Sequence, residues 1–237
     1  MFEWLIALLA AAVSALFAAR VWGQYATGRQ GHALAWALGL SAYAAAAFID
    51  AIVVEAGWSV GLYRAFFALA AGNVGLLGLG TVLLSARGRT AQASALLVAV
   101  GILVVAIGPL AVPLTLDTPV SDESETKPLR DWGGDVGAKA IPFSNAGRVA
   151  FLLLNIVGGL ALILGAAWSW WRTRNAGVLL IGVGALFPFI GGSLSTFTAI
   201  ETRVLFQFLG IVVMYAGYAL SRRPHRAAAP EHAAQHS

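Results

Sequence analysis

Long apolar runs alternate with short polar segments along almost the whole chain. Each run has about 20 residues, enough for a helix to cross the hydrocarbon core of a bilayer at about 1.5 Å rise per residue. The pattern predicts seven transmembrane helices, at roughly 2–21, 32–54, 61–85, 91–110, 147–171, 176–199 and 203–220. We expect the first run to be retained as a span, since Met1, Phe2 and Glu3 supply no positive segment typical of a signal peptide.

The composition agrees with an all-α, polytopic integral membrane protein. The chain is 59% hydrophobic and 11% charged, with a mean hydropathy of +0.79, whereas soluble domains carry about 25% charged residues. We predict a seven-helix transmembrane domain at 1–220 and a disordered cytoplasmic tail at 221–237. The one long connection, 112–146, is rich in acidic residues and proline, which predicts a water-exposed loop.

Arginines mark one side of the predicted bundle. Nine of them lie at the end of helix 1, in the connections between helices 1 and 2, 3 and 4, and 5 and 6, or after helix 7: Arg20, Arg29, Arg87, Arg89, Arg172, Arg174, Arg222, Arg223 and Arg226. Basic residues near span ends stay in the cytoplasm. The pattern therefore predicts that the N-terminus and the 112–146 loop are outside and the C-terminus is inside.

Charged residues near the predicted outer ends of the helices form a candidate outer-leaflet polar cluster. Asp50 and Arg64 each lie seven residues from the turn at Gly57, so a helical hairpin places them at a similar depth. A charge inside a membrane is costly and usually paired, which predicts an ion pair here. A purely structural pair and side chains snorkelling to the interface remain the alternatives. The other members of the cluster are Glu55, Arg148, Glu201 and Arg203.

Amides and one proline interrupt the apolar spans. Asn73, Asn155 and Gln207 are candidate intramembrane polar contacts, because amides in lipid usually form hydrogen bonds between helices, worth about 1 kcal/mol each. A ligand or water cavity is the alternative, favoured if two of them face each other. Pro188 predicts a kink in helix 6, because it frees the carbonyl of Gly184. An unwound, substrate-binding helix is the less favoured interpretation.

Several kinds of chemistry are excluded or disfavoured by the residues present. The chain has no cysteine, which excludes disulfides and thiolate ligands. His32 is the one histidine outside the tail, so we expect no metal or cofactor. Lys127 and Lys139 both lie in the long loop, which excludes a retinal Schiff base on a helix. Basic residues occur singly or in pairs at helix ends, which does not suggest a nucleic acid partner.

These observations favour a non-enzymatic binding, sensing or partner-interaction protein that acts through its outer face. A small-solute or ion transporter is the alternative, and a membrane lipid-modifying enzyme is the least favoured, since no catalytic group of residues is evident. The partners that remain open are the lipid bilayer, another membrane protein, an apolar ligand and a second copy of the chain. The glycine-rich faces of helices 3 and 5 are the expected contact surfaces with another protein.

Three stretches carry a resemblance to a known family. They are GWSVGLYRAFFALAAGNVGLLGLGTVLL, IPFSNAGRVAFLLLNIVGGLALILGAAWS and NAGVLLIGVGALFPFIGGSLS, which cover about half of the chain. In them the chain resembles an uncharacterised bacterial family, of actinobacterial type, of seven-transmembrane-helix integral membrane proteins. The resemblance rests on helix texture and on the order Gly-Trp, Tyr-Arg, Arg-x-x-Phe. It implies a cytoplasmic-membrane protein and transfers no functional residue.

Overall fold

The computed structural model of the protein describes residues 3–56, 59–86, 88–111, 145–194 and 200–222. These residues form seven α-helices: α1 (Glu3–Gly28), α2 (Gly31–Ala56), α3 (Val60–Ser85), α4 (Arg89–Ala111), α5 (Asn145–Thr173), α6 (Ala176–Leu194) and α7 (Ile200–Ser221). The predicted all-α class is confirmed. Six of the helices are long and apolar enough to cross a membrane, and the described apolar stretch of α6, Ala176–Pro188, is shorter.

Helix boundaries differ from the sequence prediction mainly in α1. This helix continues to Gly28, seven residues beyond the predicted end, because Arg20 is exposed on its surface and does not end it. The extension carries Trp22 and Tyr25, whose rings contact each other. Aromatic residues of this kind favour the membrane–water interface. The predicted loop, apart from its last two residues in α5, and the tail beyond 222 lie outside the described residues.

Six helices form a ring in the order α1, α2, α3, α5, α6 and α7, and α7 contacts α1 again. Helix α4 lies outside this ring, against α3 and α5. Only 6% of the apolar stretch of α4 is buried within the protein, compared with at least 28% for the other five candidate spans. The ring is therefore the structural core, and α4 is peripheral.

The exposed arginines lie at one end of the ring. Tyr218 near the end of α7 donates a hydrogen bond to Gln24 near the end of α1. Ala7 and Val204 lie near the starts of the same two helices and pack together at the opposite end. The first of these ends is the arginine end, and the other is called the far end. The described arginines at the arginine end are Arg20, Arg29, Arg89, Arg172, Arg174 and Arg222, all exposed.

Glycines bring α3 and α5 into direct backbone contact. A Cβ atom on Gly78 would lie 2.5 Å from the Cα atom of Gly158, and one on Gly158 would lie 2.6 Å from the carbonyl oxygen of Val74. A side chain at either position would force the helices apart, so glycine is required here. Gly78 and Gly158 are therefore used for packing within the chain, and contact of these helices with a second protein stays a prediction.

A second close contact joins α6 and α7 around Pro188. A Cβ atom on Gly210 would lie 2.6 Å from Cδ of Pro188 and 2.8 Å from the carbonyl oxygen of Gly184. This carbonyl is the one that Pro188 leaves without its helical donor. It therefore faces the backbone of α7, where a Cα–H group can approach it. Helix α6 continues through the proline to Leu194, and the kink itself stays a prediction.

Candidate functional site

The interior of the ring is apolar near the arginine end. Side chains from all six helices of the ring surround a cavity of about 30 Å³, roughly the volume of one water molecule. No polar surface lines the cavity. This apolar section is formed by Phe17, Val21, Trp36, Leu40, Leu77, Leu162, Ile181, Met214 and Tyr218, with Ile211 packed beside them. Among the described residues, the lining of this cavity offers a polar solute no hydrogen-bonding partner.

Polar side chains replace the apolar ones towards the far end of α2 and α3. On α2, Tyr43 lies three residues after Leu40, and Asp50 lies ten residues after it. Both side chains therefore continue the stripe of Leu40 along the helix, about 4 Å and 15 Å closer to the far end. On α3, Asn73 lies one turn from Leu77, about 6 Å towards the same end. Asp50 is 3% exposed and Asn73 is 6% exposed, so both are buried within the bundle.

The same change occurs on α5 and α7. Asn155 precedes Leu162 by seven residues, and Gln207 precedes Met214 by seven. Seven residues make almost two full turns, so each amide shares the interior stripe of its helix, about 10 Å closer to the far end. Both side chains are half-buried. The polar section of the ring interior is thus Tyr43, Asp50, Asn73, Asn155 and Gln207.

Hydrogen bonds in the polar section leave one buried acceptor unused. The hydroxyl of Tyr43 donates to the backbone oxygen of Gln207 at 3.0 Å, a bond that links α2 to α7. Nδ2 of Asn155 donates to the carbonyl of Phe151 in its own helix at 2.9 Å. Oδ1 of Asn73 is buried and accepts no hydrogen bond in the part of the chain that the structure describes. An unsatisfied buried acceptor costs about 1–3 kcal/mol, which a donor group on a ligand or a water molecule removes.

The structure locates the outer-leaflet cluster only in part. Asp50 forms at least one hydrogen bond or electrostatic interaction, and Arg64 is half-buried and also has an interaction partner. Arg64 lies three residues before Phe67, whose ring is 5.7 Å from that of Phe151 on α5, so it begins on the α5 side of α3. A pair with Asp50 on α2 stays a prediction. The side chains of Glu55, Arg148, Glu201 and Arg203 lie outside the described residues.

Sequence reasoning missed Tyr43 and the polar contacts at the arginine end. Tyr43 was not distinguished from other aromatic residues, although its spacing of seven from Trp36 places it on the same stripe. At the arginine end, the Tyr218 hydroxyl donates to Oε1 of Gln24 at 3.3 Å and accepts from Nη1 of Arg222 at 2.9 Å. The spacing of four between Tyr218 and Arg222 is the signal that could have identified this pair.

Neither a metal centre nor a known relative assigns the site. Among the described residues, no group of three or more histidine, aspartate or glutamate side chains could hold a metal ion. No protein family, curated protein or solved structure matches the chain. The resemblance to bacterial seven-span proteins therefore stays a prediction, and the function must be argued from the polar and apolar sections of the ring.

Proposed function

We propose that this chain crosses a bacterial cytoplasmic membrane seven times, with its arginine end in the cytoplasm. The support is the set of exposed arginines at one end and the six helices that are long and apolar enough to cross a bilayer. In this orientation the N-terminus and the acidic 112–146 loop are outside. The polar section of the ring then lies in the outer half of the membrane.

We further propose that the protein is non-enzymatic and acts by binding or sensing through its outer face. The observation that carries this proposal is the change along the ring interior from the polar to the apolar section. The polar section offers hydrogen-bonding groups to a ligand that enters from outside. The apolar section, around a cavity of about 30 Å³, blocks its passage to the cytoplasm. The polar lining favours a ligand with hydrogen-bond donors over an apolar ligand, which is one of the partners that the sequence leaves open.

Transport is the second candidate, and one observation favours it. Pro188 lies inside α6 and packs against Gly210 of α7. A proline in a membrane helix removes one backbone bond and allows the helix to bend. A bend at Pro188 would move Ile181, which lines the apolar section, and could open a path. This candidate requires the apolar section to become hydrated during each cycle.

Cysteine labelling tests the orientation. The natural chain has no cysteine, so Ser124→Cys in the long loop and Ser237→Cys at the C-terminus each provide a single reactive thiol. An impermeant thiol reagent should label Ser124→Cys in intact cells and Ser237→Cys only after permeabilisation. The opposite pattern would show that the arginine end faces outwards and that the proposed orientation is wrong.

Reconstitution in liposomes separates binding from transport. We expect no flux of ions or small polar solutes above that of empty liposomes. In a thermal-shift screen of the same solutes, a ligand should raise the melting temperature of the natural protein but not that of Asn73→Leu. Gln92→Leu is the matched control, because Gln92 is exposed on the peripheral helix α4. Flux that is lost in Asp50→Asn and Asn73→Leu but kept in Gln92→Leu would identify a transporter.

A further inference from the structure

The arginine end carries a corner where a hydrogen bond joins the chain segments next to two arginines. Nδ2 of Asn175 donates to the backbone oxygen of Ser221 at 3.4 Å, which joins the start of α6 to the end of α7. Arg174 precedes Asn175 and Arg222 follows Ser221. The bond therefore brings together the backbone segments that carry the two guanidinium groups. We call Arg174, Asn175 and Arg222 the basic corner.

Both arginines of the corner are positioned by aromatic rings. The guanidinium carbon of Arg174 lies 5.6 Å from the ring centroid of Trp170, and that of Arg222 lies 5.4 Å from the ring of Tyr218. Nη1 of Arg222 also donates to the Tyr218 hydroxyl. Arginine loses considerable rotamer freedom when it binds a ligand, and stacking of this kind removes part of that freedom in advance. The remaining N–H groups stay exposed for a partner.

No described carboxylate offsets the charge of the two arginines. Helix α6 begins at Ala176 and its first turn is capped by Oδ1 of Asn175, which accepts from Gly177 N at 2.9 Å. The N-terminal end of a helix carries a partial positive charge, and the C-terminal ends of α5 and α7, which precede Arg174 and Arg222, carry partial negative charges. Among the described residues at the arginine end there is no carboxylate, because Glu3, Asp50, Glu55 and Glu201 all lie towards the far end. The corner therefore has no described acidic neighbour.

The position of the corner in the bilayer determines which anion meets it. Trp168 and Trp171 at the same end of α5 are 57% and 59% exposed, and such exposed tryptophans favour the headgroup region. Basic pockets between membrane helices at this depth bind anionic lipid headgroups. We propose that the basic corner is a binding site for one anionic phospholipid, whose phosphate lies between Arg174 and Arg222 and whose acyl chains run along the lipid-facing side of α5. This inference does not depend on the outer-face function.

Titration of phosphatidylglycerol into the full-length protein in a neutral detergent tests this site. Bound lipid is counted by native mass spectrometry, with phosphatidylcholine of the same acyl chains as the comparison. An arginine near a lipid surface contributes about 1 kcal/mol, or about fivefold in affinity. The double variant Arg174→Gln with Arg222→Gln should therefore bind phosphatidylglycerol about 25-fold more weakly than the natural protein.

A second pair of arginines provides the matched control. Arg20→Gln with Arg89→Gln removes the same charge from the same end, but neither residue belongs to the corner. This variant should keep the affinity of the natural protein. Equal weakening in both double variants would show a diffuse charge effect and no site, and unchanged binding in the corner variant would also overturn the proposal. If phosphatidylcholine binds as tightly, the headgroup is not recognised and the proposal is wrong.

Two further measurements keep the test decisive. Inorganic phosphate should not displace phosphatidylglycerol, and displacement at similar concentrations would assign the corner to a free anion. If thermal unfolding shows that the glutamine variant does not fold, the double variant Arg174→Lys with Arg222→Lys replaces it, because this variant keeps both charges. Lysine lacks the planar fork that grips a phosphate with two donors. The lysine variant should bind phosphatidylglycerol more weakly than the natural protein, and equal affinity would contradict a site built on these guanidinium groups.

Discussion

The contact between α3 and α5 yields a prediction with a control in the same helix. In Gly78→Ala, the new methyl group would lie 2.5 Å from the Cα and carbonyl oxygen atoms of Gly158. In Gly72→Ala, six residues earlier in α3, the methyl group would meet no atom within 4 Å. The two variants carry the same substitution in the same helix and differ only in what the added carbon meets.

The expected magnitude follows from these distances. Carbon atoms in contact normally lie about 3.5–4.0 Å apart, so Gly78→Ala must separate the helices by about 1 Å or more. Overpacking of this kind costs about 1–3 kcal/mol, towards the upper end here because backbone atoms cannot rotate away. Both variants gain helix propensity, at most about 1 kcal/mol. Gly72→Ala should therefore be neutral or stabilising, and Gly78→Ala should be less stable than it by about 1–3 kcal/mol.

Reversible unfolding in mixed micelles, with increasing SDS, measures this difference. Helix content followed by circular dichroism gives the free energy of unfolding for each variant. Equal stabilities of Gly78→Ala and Gly72→Ala would refute the close packing of α3 on α5. A third variant, Gly158→Ala, should behave like Gly78→Ala, because its methyl group would lie 2.6 Å from the oxygen of Val74.

Three further predictions concern the polar section. Tyr43→Phe removes the bond to Gln207 O and should destabilise the protein by about 0.5–1.5 kcal/mol in the same unfolding assay; an unchanged stability would show that the bond contributes nothing. Asn73→Leu removes a buried acceptor that lacks a described partner, so it should be neutral or stabilising, and a loss of several kcal/mol would reveal a partner. If Asp50 and Arg64 pair, Arg64→Ala should lower the free energy of unfolding by about 3–5 kcal/mol. The double variant Asp50→Asn with Arg64→Gln should recover part of this loss, whereas strictly additive effects would exclude the pair.

The helices were predictable because the hydrophobic effect acts on whole segments. Each apolar run had the length of a membrane span, and the arginines separated the runs. The end of α1 was not predictable in this way. Arg20 interrupts the apolar run, but a long cation on a helix surface can extend to the interface without ending the helix. The backbone therefore continues to Gly28.

The order of helices in the ring could not be read from the sequence. Contacts of α3 with α5 and of α1 with α7 join helices that are not neighbours in the chain. In a lipid environment apolar side chains face both the lipid and the protein, so periodicity does not identify the buried face. The amides were identifiable as unusual residues. That Asn155 and Gln207 share the interior of one ring with Asn73 follows only from the helix packing.

In the proposed orientation, the ring interior is polar towards the outside and closed by apolar side chains towards the cytoplasm. Single cysteines on four helices of the ring test this arrangement, at Asn155 and Gln207 in the polar section and at Leu40 and Leu77 in the apolar section. Reaction with an impermeant thiol reagent is measured from each side of the membrane. We predict that Asn155→Cys and Gln207→Cys react from outside only, and that Leu40→Cys and Leu77→Cys react from neither side. Reaction of the two leucine positions from the cytoplasmic side would show a continuous aqueous path and contradict the account.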